Sequence, residues 1–325
     1  MAFRKLLAAL NSLIVVAAAI LVGAVWWYAW RPLPEKSGTV RADVSRPVRI
    51  ARDALGVPHI QAETLDDALY AQGYATAQER LWQMEALRRL AAGELSEVVG
   101  PGALELDREA RTLRMRRLAE EAVPLMPAAD RAALAAYARG VNAFIETHRD
   151  RLPLEFRLLG FEPRPWRVTD SALAGFQMIR TLTTTWKDEM LKRNLLNGGD
   201  RAKVDFLFPV RGGGEIMPGS NAWAISGQWT ASGKAILAND MHLEWSIPGT
   251  WFMAHLTAPG LNVKGVTLPG LPGVIVGHNE RIAWGITNLH FDVQDLYREQ
   301  GEARTEPEVI LVKGAKPVES VVWVT

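Results

Sequence analysis

The chain has 325 residues, 48% of them hydrophobic and 22% charged, enough to bury a sizeable core and to exclude disorder or a low-complexity scaffold. Thirty-seven basic residues against thirty-six acidic ones leave a formal net charge of +1, which removes any global electrostatic case for nucleic acid. With no cysteine there can be no disulfide, thiolate zinc site, iron–sulfur cluster or thiol nucleophile, and such a chain suits an oxidising compartment.

Arg4 and Lys5 precede a nearly unbroken apolar run from Leu6 to Trp30. At helical rise this run is longer than the roughly 30 Å hydrocarbon core of a bilayer. Trp26, Trp27, Tyr28 and Trp30 stand where an interfacial aromatic belt would stand. The basic flank predicts a cytoplasmic N-terminus with the remainder outside. Two readings stay open here, an uncleaved membrane anchor and a cleaved signal peptide. The residues from Ala24 to Ala29 offer no convincing small-x-small cleavage site, which favours the anchor. Either reading sends the chain out of the cytoplasm, to the periplasm or its equivalent. Residues 1–35 are set aside as anchor or signal segment and linker.

Residues 36–197 read as a mostly helical region. Val48–Ile50 and His59–Ile60 flank Arg52-Asp53-Ala54-Leu55-Gly56-Val57-Pro58, a strand, turn and strand. Thr64 with Asp67 is a helix-start box, followed by Leu69, Gly73, Ala77, Leu81, Met84 and Leu87 on one face. A second helix is predicted from Ala128 to about Thr147. Pro153 to Pro165 reads as a loop-rich connector, and Thr169 or Asp170 caps a helical region running toward Leu196. Residues 198–219 form a glycine-rich spacer without periodicity. From Ser220 the chain turns strand-rich, with strands predicted at 221–225, 234–238, 251–257, 263–268, 274–276 and 282–287. Residues 220–325 thus read as the start of a β region.

Four motifs stand in order: Arg52-Asp-Ala-Leu-Gly-Val-Pro-His59, Met217-Pro-Gly-Ser-Asn-Ala-Trp223, Ala238-Asn-Asp-Met-His242, and Leu268-Pro-Gly-Leu-Pro-Gly-Val274 with Gly277-His278-Asn279-Glu280-Arg281-Ile282-Ala283-Trp284-Gly285. Together they resemble the penicillin acylase family of N-terminal-nucleophile hydrolases, from about residue 45 to residue 300. The resemblance implies an α+β fold, the four-layer αββα sandwich of that superfamily, here incomplete. It also implies a precursor that cuts itself between Gly219 and Ser220 into α and β chains. A serine hydroxyl is a weak nucleophile without a base. A freed α-amino group, with a pKa of about 7.7–8.0, supplies that base from the same residue.

By the same resemblance, His242 orients the amine and contacts the acyl intermediate, and Asn288 gives a backbone N–H to the oxyanion. A structural calcium site is implied at Asp292, Gln294 and Asp295, two carboxylates and one backbone carbonyl, with a further carboxylate from Glu189. Hard oxygen donors suit calcium over a transition metal. His59, His255 and His278 have no metal-ligand spacing and read as structural.

The family's second oxyanion donor, an asparagine side chain, would lie beyond Thr325, so the chain reads as an N-terminal fragment of a longer acylase. Leu182, Thr183, Leu243 and Val276 are expected near the acyl pocket, aliphatic or small where penicillin G acylases use aromatic residues. The substrate class is an N-acylated small molecule such as a β-lactam or an acyl-homoserine lactone. The competing reading is a membrane-tethered binding or scaffold relative without the chemistry. A Ser-His-Asp hydrolase is disfavoured because no Gly-x-Ser-x-Gly elbow occurs.

Overall fold

The computed structural model describes residues 1–183, 186–208, 220–243, 245–288, 293–294 and 296–324. Its helices are α1 (Ala2–Val25), α2 (Leu65–Ala92), α3 (Ser96–Val99), α4 (Leu104–Thr112), α5 (Met115–Ala122), α6 (Ala128–Thr147), α7 (Leu154–Leu159), α8 (Val168–Thr183), α9 (Trp186–Leu196) and α10 (Arg201–Leu207). Before α2 come the strands β1 (Arg49–Arg52) and β2 (Pro58–Gln61). After α10 follow β3 (Asn221–Ile225), β4 (Ile236–Asp240), β5 (Phe252–Ala258), β6 (Leu261–Thr267), β7 (Val276–His278), β8 (Ala283–Trp284), β9 (Arg304–Ile310) and β10 (Val318–Val324). The fold is α+β, as the sequence implies.

Helix α2 begins because the Thr64 hydroxyl accepts the Asp67 N–H at 3.0 Å, and it ends at Gly93, whose φ of 69° suits a left-handed cap. It crosses α6 at a backbone-to-backbone approach that only glycine permits. A Cβ on Gly73 would lie 2.1 Å from the Tyr137 carbonyl oxygen, and one on Gly140 would lie 1.8 Å from that of Tyr70. Around this crossing Leu81, Met84, Tyr137, Val141, Phe144 and Trp166 form the main apolar core. Helix α7 falls inside the segment read as a loop-rich connector. A six-residue helix flanked by proline and glycine carries too little periodicity to be read locally; burial of Phe156 beside Trp82 holds it. Likewise α10 lies within the glycine-rich stretch, started by the Asp200 carboxylate accepting the Ala202 N–H at 2.9 Å.

A buried ionic cluster ties α2 to α8. Glu85 pairs with Arg88 at 2.5 Å and with Arg89 at 2.6 Å, and Arg88 reaches Asp170 at 3.1 Å. Helix α8 starts at Val168, and the Asp170 carboxylate reaches back to accept the Arg167 N–H at 2.8 Å. Beside the cluster, burial would raise the Glu94 carboxyl, but the charges of Arg116 and Arg164 outweigh it and hold the group below its usual range.

The main sheet has the order β1-β2-β5-β6-β7-β8. Only β2 and β5 run parallel, with His59 opposite His255, and this pairing joins the strands before the helical region to those after Ser220. The hairpins β3–β4 and β9–β10 stand apart as separate two-stranded sheets.

The loop at 268–273 is held from the helical side. Buried Gln72 donates to the Gly273 carbonyl at 3.0 Å and accepts the Gly273 N–H at 2.9 Å. The Tyr137 hydroxyl accepts the Gly270 N–H at 3.1 Å, and burial pushes that phenol up to about 12. Gly270 and Gly273 have φ values of 107° and 87°, a region that L-residues rarely occupy, which is why glycine recurs in this motif.

Replacing Gln72 by Leu strands both polar groups of Gly273 and is expected to cost about 2–4 kcal/mol, read from the denaturant midpoint of the full-length protein. Because the Glu94 carboxyl is depressed in the folded state, its stabilisation is present above the ordinary glutamate range and is lost as pH falls through the folded value. Glu94→Gln should therefore lower the thermal midpoint at pH 7, with the gap to wild type closing as pH falls below the ordinary glutamate range.

Candidate active site

Ser220 directly precedes β3, half-buried, at the edge of the β3–β4 hairpin. The register of that hairpin sets Asn221 opposite Asp240, so the start of β3 and the end of β4 lie side by side. Asn239, next to Asp240, fastens a third segment to this edge. Its amide donates to the Asn221 carbonyl at 2.8 Å and to the Ile286 carbonyl at 3.0 Å, while its oxygen accepts the Ile286 N–H at 3.1 Å. Two residues beyond Ile286 lies Asn288, whose amide donates to the Leu182 carbonyl of α8 at 2.6 Å. The site is thus framed by β3, β4, the 285–288 segment and α8.

Ser220, His242 and Asn288, far apart in sequence, line one cavity of about 460 Å³. Gln83 and Leu87 of α2, Gln177 and Thr181 of α8, and Ser246 and Thr250 of the β4–β5 loop complete its wall, which is partly polar. A second cavity of about 450 Å³ shares Ser220, Asn288, Met178, Leu182, Leu243 and Leu268 with the first. Among the described residues its remaining wall is mainly aliphatic, with Ile179, Met241, Leu271, Ile275 and Ile286, and Trp251 as the one aromatic ring. Ser220 therefore stands where a mixed lobe meets an apolar lobe.

Three of the four residues expected at the acyl pocket are there: Leu182 and Leu243 line both lobes, and Thr183 lines the apolar one. Val276 is not. It sits buried in β7 opposite Val266, and its neighbour Ile275 lines the lobe instead. Adjacent residues on an extended chain point to opposite faces, so an error of one position exchanges wall for core.

The His242 Nε2 lies 2.9 Å from the Asp240 carboxylate, which fixes Nε2–H as donor and leaves Nδ1 as the ring's acceptor. Asp240 and Asn239 are positioning residues that sequence reasoning did not single out. Their signal was present in the Asn-Asp-x-His spacing, but their partners, Asn221 and Ile286, depend on strand pairing.

Glu189 lies on α9 and Gln294 is described, whereas Asp292 and Asp295 lie outside the described residues, as does Gly219. Among the described residues no cluster of three His, Asp or Glu side chains could hold a metal. The Gln294 Oε1 is buried and accepts no hydrogen bond among them. His59 and His255 join at 2.9 Å through their Nδ1 atoms across β2–β5, with Asp53 at 3.1 Å and Asn262 at 2.7 Å on their outer nitrogens. The His59 hydrogen bond holds the Asp53 carboxyl below its usual range. These histidines stitch strands together, in keeping with a structural role.

The family model described as penicillin amidase matches residues 47–324, and the chain belongs to that family. It is 35% identical to the acyl-homoserine lactone acylase QuiP of Pseudomonas aeruginosa, over 90% of this chain and 41% of that protein. It is 34% identical to the penicillin acylase 2 proenzyme of Pseudomonas sp. strain SE83, over 82% of this chain and 40% of that protein. The chain spans about two fifths of the length of these curated relatives. Among solved structures, a thermostable penicillin G acylase from Alcaligenes faecalis is 27% identical with a TM-score of 0.45, covering 53% of this chain and 97% of that one.

Asn239→Ala removes both hydrogen bonds that tie the Ser220 edge to Ile286, together with the one to the Asn221 carbonyl. Amide hydrogen exchange in the 283–288 peptide of the full-length protein is expected to accelerate about tenfold or more.

Proposed function

We propose that the full-length protein is a self-processing, extracytoplasmic amide hydrolase that removes an aliphatic acyl chain from a small N-acylated molecule. The observation that carries this reading is the position of Ser220 at the junction of the two lobes, together with His242 and Asn288. Relatives named as acyl-homoserine lactone acylase and penicillin acylase proenzyme support both the reaction class and the precursor.

In this reading the Ser220 hydroxyl attacks the Gly219 carbonyl and the peptide shifts from nitrogen to oxygen. Water then hydrolyses the ester, leaving residues up to Gly219 as an α chain and Ser220 as the first residue of a β chain. The freed amine takes the hydroxyl proton, through a bridging water, as Ser220 attacks the substrate amide. That proton passes to the leaving amine, an acyl ester remains on Ser220, and a second water releases the acid. The Asn288 side chain is engaged with Leu182, so its contribution to the oxyanion is the main-chain N–H. His242, held by Asp240 through Nε2, presents Nδ1 to the amine.

The aliphatic lobe receives the acyl chain and the mixed lobe the amine portion. A wall with one aromatic ring forgoes the aromatic pairs, each worth about 0.5–1.5 kcal/mol, that would favour phenylacetyl. A structural calcium held by Glu189, Asp292, Asp295 and the Gln294 carbonyl would clip α chain to β chain after cleavage. The apolar helix α1 serves as a membrane anchor, with the N-terminus inside and the site outside.

Expression of the full-length reading frame tests this on one gel and one assay. Wild type is expected as two chains that release fatty acid from medium-chain acyl amides faster than phenylacetic acid from penicillin G. Ser220→Ala is expected as a single chain releasing neither. Cleavage that persists in Ser220→Ala would mark the protein as a non-catalytic relative.

A further inference from the structure

The apolar helix is not merely attached to the folded body; the body grips its last turn. Ala2–Trp30 forms one apolar span whose most apolar stretch has a mean hydropathy of 2.5 and is unburied. At its end two guanidinium groups bracket Trp27, with Arg31 4.5 Å and Arg157 5.4 Å from the ring centre. Arg157 also donates to the Trp27 carbonyl at 3.1 Å and to the Asp150 carbonyl at 2.7 Å. Arg31 donates to the same Asp150 carbonyl at 2.7 Å and pairs with the Asp150 carboxylate at 2.5 Å. A further ion pair joins Arg151 to Glu35. A disposable leader has no need of such a socket.

The grip fixes depth as well as attachment. Tryptophans at the end of a spanning helix sit at the headgroup level. Arg157 reaches Trp27 from α7, so α7 lies at that same level, and Leu158 is one residue, about 3.8 Å, further along. Leu154 and Leu158 stand four apart, on one face of α7, and both are exposed, Leu158 by 70%. Phe156, on the other face, is buried in the core. Trp30 and Leu33, just past the clamp, are exposed too. An apolar face that none of the described residues covers, at the depth of the interface and continuous with the span, matches the bilayer itself.

We propose that the span is retained in the mature protein and that the Leu154–Leu158 face of α7 is a second membrane contact, inserted in the outer interface of the bilayer α1 crosses. The proposal rests on the reading of α1 as an anchor and is independent of the acylase chemistry. Its occupant is lipid acyl chain at the headgroup boundary, with no demand for anionic lipid, because Asp150, Glu155 and Glu162 offset the arginines of this region.

None of these 325 residues is cysteine, so with any cysteine beyond residue 325 replaced by serine a single introduced cysteine gives single-site labelling. Leu158→Cys in the full-length protein, carrying a fluorophore and reconstituted in phosphatidylcholine vesicles, reports on α7. Leu125→Cys, at an 85% exposed leucine outside the clamp, is the control. Lipid-borne nitroxide is expected to quench the label at 158 several-fold more than the one at 125, and aqueous iodide several-fold less. Arg157→Gln should restore iodide access at 158 while the chain stays resistant to carbonate extraction. Equal iodide quenching at both sites in a carbonate-resistant chain overturns the α7 contact alone. Shielding of 158 from both quenchers identifies a protein cover and also overturns it. A mature chain whose mass begins after Trp27 overturns the whole proposal. If Leu158→Cys folds poorly, Leu154→Cys on the same face gives the same readings.

Discussion

Two buried side chains of the helical half, Gln72 and Tyr137, hold the loop at 268–273 through its own backbone. Contacts such as Gln83 with Gly249 and Arg111 with Glu308 join the halves elsewhere, but this one fixes a loop that lines the cavity beside Ser220. The Gln72 amide satisfies a backbone donor and a backbone acceptor of Gly273 at once. Leu268 and Leu271, from the same loop, then become walls of the lobe beside Ser220. The parallel pairing of β2 with β5 closes the other side of the seam. A backbone cut near Ser220 would leave these contacts in place, since none of them runs through residue 219.

The site depends on the same logic at shorter range. Asn239 uses its whole amide to bind two backbone segments, and Asp240 orients His242 from the adjacent position. Both are exposed or half-exposed polar residues whose value is geometric. A nucleophile displaced by about 1 Å loses much of its rate, so small anchors of this type would matter in the reaction proposed for Ser220. The aliphatic lobe offers shape and dispersion, while the mixed lobe offers hydrogen-bonding groups from α2 and α8. The Trp27 clamp attaches the same body to the end of α1.

Much of the fold was legible because its signals are local. The Thr64 cap, the apolar face of α2 and the limits of α6 from Ala128 to Thr147 follow from residues within a turn or two of each other. The six strands predicted between 221 and 287 lie within a few residues of β3 to β8, from alternation and turn chemistry, whereas β9 was not predicted. Ser220, His242 and Asn288 were named through the family resemblance, and the structure gathers them at one cavity. Local signals failed at α7, whose six residues are held by Phe156 in a distant core, and at Val276, where one position decides which face a side chain takes. Asn239 and Asp240 were visible as letters but not as anchors.

Composition and motif order by themselves determined the absence of thiol chemistry, the apolar N-terminal span, the helical-then-β order and the family. These are properties of residue identity and of spacing along the chain. Only the tertiary structure decided that Ser220 stands between an aliphatic and a mixed lobe, that Ile275 and not Val276 lines the former, and that Trp27 is clamped by Arg31 and Arg157. Apart from Arg31, four residues from Trp27, each of these joins residues from tens to well over a hundred positions apart or turns on strand register. Such contacts arise from chain closure and packing, and no local pattern encodes them.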